Sequence, residues 1–337
     1  MIDSIELKNF GPLRDCRWAG LGRINLVIGS NGSGKTFLLK AIYAALRTIE
    51  EYRRGDDQRT AAEILADKLY WTFQSEKIGD LVSKGADSSL TFKLEFNRQR
   101  FSYGFGRDTS KQISSLENEV PPRTSNSIFL PAKEVLSLHQ IILKSREQDK
   151  VFGFDDTYLD LARALRLPTR QGRNYPEFAQ SRRRLEEIVG GVVEYDEQVG
   201  RWQFNKGRHK FPIGVTAEGV KKIAILDTLL GNRYLDANSI VLIDEPESAL
   251  HPSAISELLN IVAMLAERGI QFVLASHSYF VVKKLFLIAQ EKGWSIPVIN
   301  ADEMNWVSHD LKDGMPDNPI IDESIRLYKE EVELALK

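Results

Sequence analysis

Hydrophobic and polar positions follow different periods in different parts of the chain, and the changes of period predict its elements. Four short apolar runs, Ile24 to Ile28, Ile240 to Ile243, Gln271 to Ala275 and Ile296 to Ile299, read as strands buried on both faces. Between the second and third, from Ser253, the residues Ile255, Leu258, Leu259, Val262 and Leu265 recur at helical spacing until Gly269, which supplies a C-cap. Strand, helix and strand in that order predict a βαβ unit. A second stripe, Leu38, Ile42, Ala45, Leu46 and Ile49, predicts another helix near the start. The two ends of the sequence therefore predict one parallel sheet.

The middle is patterned differently. Residues 52–127 are polar and mixed, with an alternating hairpin expected from Leu90, Phe92, Leu94 and Phe96 to Phe101, Tyr103 and Phe105 through Asn97-Arg98-Gln99-Arg100. Residues 133–190 read mostly helical, and Val192 to Tyr195 with Trp202 to Phe204 predict a second hairpin turning near Gly200. The fold expected is α/β: a nucleotide-binding core from residues 1–51 and 215–337, a β-rich lobe at 52–132 and a helical lobe with a hairpin at 133–214. All of it reads as a single domain.

The segment between the first apolar run and the first helical stripe is Gly29-Ser30-Asn31-Gly32-Ser33-Gly34-Lys35-Thr36, a full match to GxxxxGK[ST]. Glycines permit a tight turn whose N–H groups converge on phosphate oxygens, and the helix N-terminus adds partial positive charge. Lys35 is expected on the β/γ-phosphates and Thr36 on Mg²⁺. Phosphoryl transfer to water also needs a carboxylate near the metal and a group that orients the nucleophile. Asp244-Glu245, at the end of the second apolar run, supplies both, with Asp244 toward Mg²⁺ through water and Glu245 as general base. The next strand ends in Ala275-Ser276-His277-Ser278, which should bring His277 to the same crevice as a γ-phosphate sensor or proton relay. His251 is left between helix-entry packing and a contact near a second subunit. His139, His209 and His309 are too isolated to read as ligands.

These residues together resemble the ABC-type ATPase heads of the RecF, SMC and OLD families, most of all short bacterial AAA-labelled proteins of the OLD-like group. The resemblance is carried by Ile5-Glu6-Leu7-Lys8-Asn9-Phe10, by NGSGKT, by IDEPESALHP and by ASHS at the two ends of the chain. It implies an ATPase using ATP and Mg²⁺ that dimerises, or assembles further, around ATP. Lys35 and Thr36 would meet phosphate and metal, with Asp244 as the Walker B aspartate, Glu245 as the base and His277 as the switch histidine. Each ATP would be completed by a signature helix from the other subunit, for which Val215-Thr216-Ala217-Glu218-Gly219-Val220 is placed correctly. Thr216, Glu218 and Gly219 are its expected nucleotide contacts. Ala217 stands where a serine commonly meets the γ-phosphate. The glutamine-loop position, near Ile128 to Glu134, reads IFLPAKE and holds no glutamine. Some OLD relatives append a TOPRIM nuclease; here about sixty residues follow His277, so nuclease or toxin activity is expected from a separate effector.

Composition narrows the partners. The 42% hydrophobic and 27% charged content is that of a globular protein, and no apolar run would span a bilayer, so a cytoplasmic protein with no membrane contact is expected. The net charge of −2 gives no global pull toward nucleic acid, and one cysteine, Cys16, leaves no internal disulfide. Locally, Arg163, Arg166, Arg170, Arg173, Arg182, Arg183 and Arg184 read as either a DNA-facing stripe or a solvated helical face. The function expected is an ATPase that controls a partner effector or DNA, in phage defence. The alternatives are a scaffold or inhibitor with negligible turnover, a DNA repair or recombination ATPase, and the nucleotide subunit of a transporter, which the degenerate signature disfavours.

Overall fold

The computed structural model describes residues 1–168, 178–302 and 305–336. The alternating N-terminus forms β1 (Ile2–Phe10) and returns as β2 (Leu13–Ala19). The first apolar run is β3 (Ile24–Gly29), and after the phosphate loop the chain enters α1 (Lys35–Glu51). A reciprocal capping box between Thr60 and Glu63 starts α2 (Ala61–Phe73). Four strands follow, β4 (Leu90–Phe96), β5 (Gln99–Phe105), β6 (Ser115–Asn118) and β7 (Ser127–Leu130). The hairpin between β4 and β5 turns on Asn97 and Arg98 alone, both at positive φ, so the turn is tighter than the four residues expected.

The helical stretch comprises α3 (His139–Leu143), a π-helical turn at Lys144–Gln148, α4 (Asp156–Leu165) and α5 (Ala179–Val189). The second hairpin is β8 (Val192–Asp196) and β9 (Arg201–Lys206), extended by a third strand, β10 (His209–Pro212), that the sequence pattern did not predict. Then come α6 (Glu218–Gly231), β11 (Ile240–Asp244), α7 (Pro252–Glu267), β12 (Gln271–Ser276), α8 (Tyr279–Lys292), β13 (Pro297–Asp302), β14 (Asn305–Asp310) and α9 (Pro319–Ala335).

The four apolar runs lie side by side in a six-stranded sheet of order β14-β13-β3-β12-β11-β7. All neighbours are parallel except the edge strand β14, which runs antiparallel to β13. Alternate residues of this sheet feed two cores. Ile24, Leu26, Ile28, Val241, Ile243 and Leu274 face the helices on one side, and Val27, Leu242, Val273 and Ala275 face α1 on the other. No helix among the described residues is long and apolar enough to cross a membrane.

Two departures from the sequence pattern have one cause. The antiparallel sheet has order β2-β1-β4-β5-β6, so β1 pairs with β4 across the boundary expected at 51/52, while β7, inside the expected 52–132 lobe, belongs to the central sheet. This second sheet covers α1 from behind. A single apolar stripe was expected on that helix, yet Tyr43, Ala44, Arg47, Thr48 and Glu50 are buried too. With α2 and α4 packed over its remaining face, the helix buries nearly its whole circumference, and its polar residues then need partners inside the protein.

Candidate nucleotide site

Because β3, β11 and β12 are adjacent and parallel, their C-terminal ends bring three distant sequence segments to one rim. The phosphate loop leaves β3 with Gly29, Gly32 and Gly34 at φ of 151°, 80° and 96°. A Cβ at Gly29 would stand 2.8 Å from both the Ala301 carbonyl oxygen and Ser33 Oγ, so glycine is required there for close approach as well as for φ. Lys35 opens α1 and donates to the loop carbonyls of Gly29 at 2.9 Å and Ser30 at 2.8 Å. Burial pushes its ammonium down from the ordinary lysine range, although Asp244, Glu245 and Glu247 pull the other way.

Thr36 joins the two halves of the site. Its hydroxyl donates to the Asp244 carboxylate, 2.9 Å to Oδ2 and 3.1 Å to Oδ1. Burial raises the Asp244 carboxyl above its ordinary value, opposed by this hydrogen bond. Glu245 follows at the strand end in a left-handed conformation, φ 48°, its N–H donating to the Ala275 carbonyl at 2.9 Å. Asp244 is buried while Glu245 is half-exposed. His277 arrives at the end of β12, where its Nδ1 lies 3.4 Å from Glu245 Oε1 and 3.6 Å from Glu247 Oε1.

Several residues around this rim escaped the sequence reading. Glu247 accepts from the Ser276 hydroxyl at 2.8 Å and the His277 N–H at 3.1 Å, and its Oε2 is buried without a hydrogen-bond partner. Lys222 donates to the carbonyls of Asp244, at 3.4 Å, and Glu245, and burial pushes its ammonium down to about 8. Lys40, one turn into α1, pairs with Asp155 at 2.6 Å, and Asp155 caps α4. With Asn31, Thr36, Phe73, Gln74 and Glu245 they border a cleft of about 460 Å³ over the phosphate loop. Only Glu247 carried a local signal, the spacing of acids in DEPE. The others are brought in by packing.

The expected signature segment enters α6 with Ala217 as N-cap residue and no side-chain cap. Ala217 and Glu218 are exposed, and Thr216 Oγ1 is buried without a hydrogen-bond partner. Gly219 packs closely within its own chain, where a Cβ would come within 2.6 Å of Leu250 and 3.1 Å of the Ala249 carbonyl. At the glutamine-loop position β7 ends at Leu130, and Glu134 accepts from the Ser137 N–H at 2.7 Å. His251 caps α7 by accepting from the Ser253 N–H, which is the helix-entry role.

The arginine stripe is dispersed. Arg163 pairs with Glu147 and Arg182 with Asp227, whereas Arg166, Arg183 and Arg184 are exposed; Arg170 and Arg173 lie outside the described residues. Cys16 is buried, and burial pushes its thiol up to about 12.

The donor chemistry fits a nucleotide with a divalent cation. A ready ammonium, a hydroxyl on a buried carboxylate and a glycine turn held at positive φ are what phosphate and Mg²⁺ require. Comparisons with known proteins agree with the fold. A family model described as "AAA domain, putative AbiEii toxin, Type IV TA system" matches residues 24–283. An "ATP/GTP phosphatase" of Helicobacter pylori is 22% identical over 337 residues, covering 88% of this chain and 90% of that protein. Among solved structures, an SMC head bound to the C-winged helix domain of ScpA is similar at TM-score 0.56 and 13% identity, covering 93% of this chain and 98% of its own. The Smc head of Pyrococcus furiosus with an extended coiled coil, bound to the C-terminal domain of ScpA, is similar at TM-score 0.52 and 13% identity, covering 96% and 99%.

Proposed function

This chain is a P-loop ATPase of the AAA-domain family whose model it matches, and we propose that it hydrolyses ATP with the residues gathered at the rim of the central sheet. The observation that carries this reading is the Thr36 to Asp244 hydrogen bond, which closes the phosphate loop onto the acidic strand end with Glu245 and His277 alongside. A bound Mg²⁺ would be held by Thr36 and Asp244 and would neutralise phosphate charge as a Lewis acid. Lys35 exchanges its loop carbonyls for phosphate oxygens, a gain because its buried ammonium is poorly satisfied by neutral acceptors alone. Glu245, half-exposed and with the His277 ring 3.4 Å from its carboxylate, takes the proton of the attacking water. His277 steadies that carboxylate and relays the proton onward.

In the cell the chain acts as one ATPase unit of an OLD-like defence protein. It dimerises so that Thr216, Glu218 and Gly219 of one copy complete the site of the other, and the cycle controls an effector protein or DNA. Support for the trans contact is the exposure of Ala217 and Glu218 at the free N-terminus of α6. Support for DNA rests on Arg166, Arg183 and Arg184, the exposed members of the stripe. Ala217, in place of the usual serine, favours a second reading, an ATP-gated scaffold with slow turnover.

Glu245→Gln separates these readings. It should retain ATP, accumulate the ATP-bound dimer and lose turnover by about a hundred- to thousandfold, measured as phosphate release and by light scattering with and without ATP. Unchanged phosphate release would remove Glu245 from the role of base. Wild-type phosphate release already at the protein-free background, with intact ATP-dependent dimers, would establish the scaffold.

A further inference from the structure

Glu245 holds a backbone conformation that a glutamate does not adopt freely. At φ 48° it lies in the left-handed region, where an L side chain crowds its own carbonyl. Such strain persists only where surrounding contacts over-determine it. Three contacts do so here. The Glu245 N–H is held by the Ala275 carbonyl on β12 at 2.9 Å, and its carbonyl accepts from the Ser248 N–H at 3.0 Å. The third contact comes from another element altogether. The ammonium of Lys222, on α6, donates to that same carbonyl and to the carbonyl of Asp244 at 3.4 Å.

We propose that Lys222 is a positioning residue for hydrolysis: by holding the Asp244 and Glu245 carbonyls it fixes the turn that aims the Glu245 carboxylate. Its side chain points at main-chain oxygens, so it acts through Glu245 and touches no substrate. The inference rests on the reading of Glu245 as base. It also gives the turn a mechanical connection. α6 begins at Glu218 within the signature segment, and Lys222 lies one turn further along. Gly219 packs without a Cβ against Ala249 and Leu250, so α6 grips the segment after Glu245 at two points. A displacement of the α6 N-terminus by a partner's nucleotide would be carried by a rigid helix to the base of the same chain.

Lys222→Met and Lys222→Arg in the full chain test this, with Glu245→Gln as reference. Lys222→Met keeps an unbranched apolar stem of similar length and removes the donors. Its kcat should fall about ten- to hundredfold, the cost of misplacing a catalytic group, while the Kd for a fluorescent ATP analogue stays within about twofold. Lys222→Arg, which restores a cation with several donors, should recover most of the loss. Combining Lys222→Met with Glu245→Gln should reduce turnover no further than Glu245→Gln alone, because both act through one carboxylate.

Full turnover in Lys222→Met beside an inactive Glu245→Gln would overturn the positioning role while leaving the base in place. Loss of kcat and of analogue binding in proportion to the folded fraction, unrescued by arginine, would reduce Lys222 to a structural contact. An active Glu245→Gln would instead remove the premise.

Discussion

Two clusters of opposite charges lie along α1, and they differ in whether their charges are satisfied. At its C-terminal half, Arg47 pairs with Glu50 at 3.0 Å, Glu51 at 2.9 Å and Asp160 at 3.2 Å. Lys68 on α2 meets Glu51, Asp156 and Asp160, Tyr43 donates to Asp160 at 2.6 Å, and Arg123 pairs with Glu50 at 2.8 Å. These groups are nearly all buried and bind α1, α2 and α4 together. At its N-terminal end, among the described residues, Lys35 meets only loop carbonyls, Glu247 has one buried oxygen without a partner, and Glu245 stands half-exposed. Charge of both signs is present in each cluster. The first spends it on the fold, and the second leaves it available to a ligand.

The largest effect expected on this contrast is at Asp160. Removing its carboxylate leaves Arg47 and Lys68 buried with too few acceptors, so Asp160→Ala should cost about 3–5 kcal/mol in urea unfolding. An unaltered unfolding midpoint would show that the cluster does not hold the helices. The same group makes a pH prediction. Burial alone would raise the Asp160 carboxyl, but the charges of Lys68 and Arg47 outweigh it and hold it below the usual carboxylate range. A depressed folded value means stability that is present above the unfolded value near ~4 and lost as pH falls below it. The stability gap between wild type and Asp160→Asn should therefore narrow below about pH 4. A constant gap would argue against a charged Asp160.

Lys35→Met tests the other cluster. Nucleotide affinity should weaken about thirty- to hundredfold, while the unfolding midpoint hardly moves, because this ammonium has no carboxylate partner to strand. Titration with a fluorescent ATP analogue beside a thermal melt checks both halves, and a large fall in stability would mean that Lys35 belongs to the fold instead. The smallest effect is at His251. As N-cap of α7 it should contribute about 0.5–1 kcal/mol, so His251→Ala should lower stability slightly and leave turnover per folded molecule unchanged. A loss of turnover without loss of stability would revive the intersubunit contact.

Where a function is written in contiguous residues, it was legible early. The phosphate loop, Asp244-Glu245 and His277 each sit at the end of an apolar run, and parallel pairing of those runs was enough to foresee one rim. Lys222 could not be foreseen in the same way. It is one of two adjacent lysines on a helix, and only the packing of α6 against the turn after β11 separates it from Lys221, which pairs with Glu218 and Ser137. The charged residues of α1 are similar. Arg47 and Glu50 look like a solvated helical face until α2 and α4 pack over it and Arg123 and Ser127 meet Glu50.

The sequence by itself determined the parallel core, the phosphate loop and the order of the chemical groups, because periodicity, glycine conformation and strand-end acids act over a few neighbouring residues. Tertiary structure alone decided that β1 pairs with β4, that α1 is enclosed on both sides, and that a lysine from α6 holds the backbone of Glu245. Those outcomes depend on which surfaces meet across many tens of residues. A buried charge must then find whichever partner the packing has brought within reach.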